Sequence, residues 1–154
     1  MDKKINTGFW NAKAPEYALS IEPIGRGETA LYFLHGVCGV FALALHNIFG
    51  YQIEVAAEMN MDGAPWEERI VHIYCRDNQN NFVDVRGVTN DEDLFIESFE
   101  DFFVPKYGDY LDIQAEELRS FLSRCMDEDE LSWLYNAAVL FIHRHGEYKI
   151  EGGM

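Results

Sequence analysis

The sequence predicts an α+β domain, and three features carry that expectation. These are an apolar run from Thr29 to Phe49, two strand-like segments around a polar turn at 69–86, and later segments with acidic starts and apolar faces. Within the run, Cys38, Phe41, Ala42, Leu45 and Phe49 recur at helical spacing, which puts them on one stripe of a helix. Gly36 makes a turn ahead of it and Gly50 is a natural stop. This is the expected central buried helix, with Cys38 at its start. After Gly50, YQIEVAAE alternates as a strand does, and MNMDGAPWEE reads as a loop from its Asp-Gly and Pro content.

Residues 69 to 76 and 81 to 86 read as two antiparallel strands joined through DNQN. Side chains alternate across a strand, so Val71, Ile73, Cys75, Val83 and Val85 suit one face, while Ile70, His72, Tyr74, Phe82, Asp84 and Arg86 share the other. Matching the faces requires paired residue numbers with an even sum. Pairing Arg76 with Asn80, or a neighbouring even register, satisfies that condition, and Arg76 with Asn80 sets His72 opposite Asp84, at roughly 4.5–5.5 Å between Cβ atoms.

Residues 1 to 28 are poor in periodicity and read as an irregular arm with one short helix or strand, whose Phe9 and Trp10 are expected to pack onto the core. Beyond the strands, Thr89 with Glu92 resembles a capping box for a helix through LFIESFEDFF that ends at Pro105. Asp112 is expected to cap a helix reaching Cys125, and the acidic cluster at 127–130 opens another that runs to His145 and stops at Gly146. The expected plan is one domain over 1–154: an arm at 1–28, a catalytic core at 29–88 and a helical part at 89–150.

Twelve basic residues against 27 acidic ones give a net charge of -15, which disfavours direct nucleic-acid binding, since phosphate recognition relies on Lys and Arg. A basic protein partner fits that charge better. The first thirty residues lack an apolar signal-like core, and no stretch approaches the roughly 18 uncharged apolar residues that span a bilayer. Three cysteines, Cys38, Cys75 and Cys125, are too few and too odd for a disulfide framework. The expectation is a cytoplasmic protein without a membrane segment and with a free thiol. No cofactor motif is expected.

A thiol at a helix N-terminus meets the positive end of the dipole, which favours the thiolate. The expected nucleophile is therefore Cys38, with His72 as base 34 residues on and Asp84 as orienter 12 residues further. This order, with a Cys opening a buried helix and a His and an Asp on adjacent strands, resembles the papain-like and transglutaminase-like cysteine enzymes over roughly residues 30 to 90. The resemblance implies a helix carrying the Cys packed on an antiparallel sheet, and a hydrolase or acyltransferase (peptidase or deamidase) acting on a protein or peptide amide. Papain-type peptidases carry a Gln six residues before the nucleophile, where this chain has Tyr32. The oxyanion role then passes to backbone or to Tyr32, and Tyr32, His35 and Trp66 are the candidates for lining the oxyanion site or substrate groove.

Other readings stand beside this one. A Cys on an apolar helix is commonly a small core residue, and Cys75 and Cys125 read that way. His35 with Cys38 and His72 with Cys75 form two His-x-x-Cys pairs with zinc-ligand chemistry, but i and i+3 point to opposite sides of a strand. The charge equally suits a non-catalytic acidic binding or inhibitor protein that mimics nucleic acid on an enzyme-like fold. Under the catalytic reading, Asp84→Asn is expected to slow turnover at least about tenfold with an unchanged melting temperature.

Overall fold

The apolar run folds into the 12-residue helix Cys38–Phe49, in which Gly39 through Leu45 are all buried. It ends where Gly50 takes a left-handed conformation and its N–H donates to the His46 carbonyl at 2.8 Å. The computed structural model describes residues 3–59, 63–99 and 108–150. Along it run α1 (Pro15–Ser20), β1 (Pro23–Gly25), β2 (Glu28–Thr29), α2 (Tyr32–His35), α3 (Cys38–Phe49), β3 (Gln52–Ala57) and β4 (Ile70–Arg76). Then come β5 (Phe82–Asp84), β6 (Gly87–Thr89), α4 (Glu92–Ile96), β7 (Asp109–Ile113), α5 (Ala115–Cys125) and α6 (Glu128–His145).

The fold is α+β. Five strands form an antiparallel sheet in the order β6-β5-β4-β3-β7, and β1 pairs with β2 in a separate hairpin. One face of β4 lies on α3, where the Cys75 thiol donates to the Ala42 carbonyl at 3.3 Å. The other is covered by aromatic rings, with Phe95 4.8 Å from Tyr74 and 4.3 Å from Phe82 between centroids. Both faces of the hairpin are therefore dry. This explains why His72, Asp84 and Arg86 are buried although only the Val71-Ile73-Cys75 face reads as apolar.

The register keeps the expected even sum but is shifted by two. Cys75 pairs with Val83 and Arg76 with Phe82, so Asp84 lies diagonally across from His72. The reason is local. The Asp77 carboxylate accepts from the N–H groups of Gln79 and Asn81 at 2.9 Å each, and the Asp77 N–H donates to the Asn81 carbonyl, which closes the turn one step later. The second strand also ends early, at Asp84, and Gly87–Thr89 turns back as β6.

Two helix caps differ from expectation. Thr89 is drawn into β6, where its hydroxyl donates to Asn6, and the cap of α4 is Asp91, whose carboxylate accepts from the Leu94 N–H at 3.1 Å. Asp112 is not a cap. It lies in β7, which fills the free edge of β3, and Gln114 with Glu117 forms the capping box of α5. The α4 run continues as one 3-10 turn, Glu97–Phe99, and its expected end at Pro105 lies outside the described residues. Helix α6 starts from Asp127 and stops at Gly146 as expected. Phe9 and Trp10 pack on the core as expected, Phe9 stacking on Phe141 with centroids 5.9 Å apart and Trp10 buried, and the arm holds both the helix α1 and the β1–β2 hairpin where one short element is expected. No described helix is long and apolar enough to cross a membrane.

Candidate functional site

Strands β4 and β5 bring His72 and Asp84 together, with Nε2 of His72 and Oδ2 of Asp84 2.8 Å apart and both residues buried. Arg86 completes the group. Its Nη2 donates to the Asp84 carboxylate at 2.7 Å, its Nε reaches both oxygens at 3.2 Å, and its backbone N–H donates to Oδ1 at 2.8 Å. The guanidinium is 1% exposed and lies 4.1 Å over the Trp10 ring, with Nη1 donating to Ser98. Burial pushes the Asp84 carboxyl up, but the Arg86 charge and the His72 hydrogen bond outweigh it and hold it well below the usual carboxylate range. Asp84 is thus ionised at neutral pH.

An ionised carboxylate only accepts, so Nε2 of His72 carries the proton, and the lone pair of the neutral ring sits on Nδ1. Burial, with the Arg86 charge, lowers the His72 pKa below its ordinary value despite Asp84, which keeps the ring neutral. Nδ1 is buried and has no hydrogen-bond partner among the described residues. Such an orphaned acceptor costs about 1–3 kcal/mol and calls for an explanation.

Cys38 opens α3 and is hydrogen-bonded to the strand that carries this ring. The β4–β5 ladder stops at Cys75, and the Ile73 N–H, one residue after His72, donates to the Cys38 Sγ at 3.4 Å. No hydrogen bond joins Sγ to Nδ1. The expected lowering of the thiol pKa does not occur. Burial pushes it up to about 11, with the Asp84 charge adding, although the amides of Ile73, Gly39 and Cys38 favour the thiolate. Desolvation outweighs the helix terminus here.

A cleft of about 360 Å³ opens at Cys38, lined among others by Leu34, His35, Gly36, Arg69, Val71 and Phe99. His35 lines it and pairs with Glu16 at 2.7 Å. Tyr32 and Trp66 do not line it. The Tyr32 ring fills the space beside Gly36, where a Cβ would come within 2.3 Å of its carbons, and Trp66 packs on Phe121 at 5.3 Å. The zinc-type pairs do not gather: Cys75 bonds Ala42, His35 bonds Glu16, and His72 bonds Asp84. Among the described residues, no three His, Cys, Asp or Glu side chains are placed to hold a metal ion.

Sequence reasoning missed two members of this arrangement. Alternation places Arg86 on the face of His72 and Asp84, but no sequence pattern assigns it the Asp84 carboxylate as a partner. Phe99 stacks on His72 with centroids 4.6 Å apart, from a turn with no sequence motif. A larger cleft, about 520 Å³, is lined by Trp10, Glu16 and Arg86 among others and does not include Cys38. No protein-family model, curated protein or solved structure matches the chain.

Proposed function

We propose that this protein is a cysteine-dependent hydrolase or acyltransferase that acts on a protein or peptide amide, related in plan to the papain-like and transglutaminase-like enzymes. The observation that carries this reading is the buried His72, held on ionised Asp84 through Nε2, with Nδ1 unpartnered one residue from the amide that bonds the Cys38 thiol. In this reading the resting thiol is neutral, so attack and proton transfer are coupled. The Sγ electron pair forms the bond to the substrate carbonyl carbon while the thiol proton passes to Nδ1, and the imidazolium is stabilised by Asp84. Collapse of the intermediate breaks the C–N bond, the leaving amine or ammonia takes the proton from Nδ1, and water or an acceptor amine then releases the thioester. A free thiol of this kind suits a reducing, cytoplasmic setting.

The test is incubation of the protein with a complex peptide mixture, read by mass spectrometry for new termini, Gln or Asn deamidation, or amide exchange. Products that vanish in Cys38→Ala and His72→Gln support the reading. Their absence with the unaltered protein overturns it. A second reading, a non-catalytic acidic binding protein, draws on the thiol being pushed up to about 11 rather than activated. Under it Cys38→Ala retains the protein's full cellular effect.

A further inference from the structure

The walls of the Cys38 cleft carry a charge pattern that the catalytic residues do not explain. At the end of the β3–β4 pair, the Glu58 N–H donates to the Arg69 carbonyl at 2.8 Å, so Glu58 and the Glu68–Arg69 step are held side by side on the cleft rim. Arg69 is the cation of this rim, and its charge is already used. Its Nη1 lies 2.7 Å from Asp109 and 2.6 Å from the Glu58 carbonyl, and its Nε bonds the Ala64 carbonyl. The neighbouring Glu67 pairs with Arg124 at 3.5 Å. Glu58 and Glu68, both exposed, meet no cation among the described residues. The rest of the wall includes apolar Leu34, Ile70, Val71 and Phe99.

We infer that this cleft selects a cationic side chain, so that the substrate is a peptide segment with a Lys or Arg beside the bond presented to Cys38, its charge met by Glu58 and Glu68 and its aliphatic stem by Ile70 and Val71. Long basic side chains lay their methylenes on apolar surface while the head reaches an acidic rim, and carboxylates whose neighbouring arginine is already paired elsewhere draw ligands of the opposite charge. The substrate arm of this inference rests on the hydrolase reading above. The electrostatic arm does not.

The experiment separates the two. In a Cys125→Ser background, which removes the exposed thiol, Cys38 is modified at pH 8.5 with a trimethylammonium-ethyl and, separately, a sulfonatoethyl methanethiosulfonate. The Cys38 sulfur forms the new S–S bond while the S–SO₂ bond breaks, and methanesulfinate leaves with the electron pair. With 2-mercaptoethanol as the reference thiol, the cationic reagent is expected to be favoured on the order of tenfold. Glu58→Gln with Glu68→Gln should bring the ratio to within about twofold of the reference. An unbiased ratio in the parent, or a bias unchanged in the double variant, overturns the inference. Peptide amides carrying Lys or its neutral acetyl-lysine analogue then complete the test. A Lys preference in kcat/KM that the double variant loses supports the substrate assignment, and equal turnover of both peptides overturns it. A persisting reagent bias with no turnover of any peptide condemns the hydrolase reading and leaves the cation-selecting cleft in place.

Discussion

At the scale of single residues, Asp84 has two roles that cannot be separated. It fixes the His72 tautomer and neutralises a guanidinium that is 1% exposed. Asp84→Asn is therefore expected to cost stability as well as turnover. Removing one partner of a buried ion pair costs about 3–5 kcal/mol, so the unchanged melting temperature that the sequence suggests is replaced by a clear fall, read by thermal denaturation. Turnover should still drop at least about tenfold in the folded fraction. For Cys38, alkylation by iodoacetamide should keep accelerating with pH up to about 11, and at pH 8 it should lag behind exposed Cys125. Peptide mapping of the alkylated protein reads both rates. A Cys38 that alkylates faster than Cys125 at pH 8 would mean the thiol is less desolvated than its surroundings indicate.

At the scale of elements, the helix ends and the sheet edge offer direct checks. Asp127 accepts from the Glu130 N–H at 2.8 Å and begins an 18-residue helix, so Asp127→Ala should cost about 1 kcal/mol in urea unfolding. Gly87 is more demanding. Its φ is +123°, and a Cβ there would lie 2.4 Å from the Thr7 carbonyl oxygen, where the arm pairs with β6 through the Thr7 N–H to the Val88 carbonyl at 3.0 Å. Gly87→Ala should cost about 2–3 kcal/mol and loosen the arm, read as faster amide exchange at Thr7 and Trp10. Element boundaries were legible where one local signal had no rival, as at Gly50, Asp127 and Gly146. They were misplaced where a strand edge competed for the same residues: Thr89 and Asp112 are credible caps in isolation, but pairing with β5 and β3 claims them.

For the whole molecule, the buried His72–Asp84–Arg86 group predicts acid sensitivity with a definite sign. Asp84 is held below its unfolded value, so its contribution is fully present above about pH 3.9 and is lost as pH falls through the folded value. His72 is also lowered, so below about pH 6.5 the unfolded chain binds a proton that the folded ring resists. Both act in one direction. The melting temperature should fall from pH 7.5 to pH 5.5 and more steeply below pH 4, and His72→Gln should flatten the first of these slopes. A melting temperature that rises on acidification would contradict the buried, neutral imidazole.

The sequence by itself determined the α+β class, the helix that starts at Cys38, and the shared face of His72 and Asp84. Each follows from a short-range rule: helical spacing of apolar residues, or alternation along a strand, under which a register shift of two changes no face. Only the tertiary structure decided the chemistry of those residues. Phe95 and Phe99 cover a face that carries polar and charged groups, Arg86 is folded in beside Asp84, and the Cys38 thiol is half-buried at the foot of a cleft, where desolvation raises its pKa. Protonation depends on what surrounds a group in space, and the surroundings of Cys38 and His72 come from other segments: Phe95 and Phe99 lie 23 and 27 residues after His72, and Ile73 lies 35 residues after Cys38, beyond the reach of any local pattern.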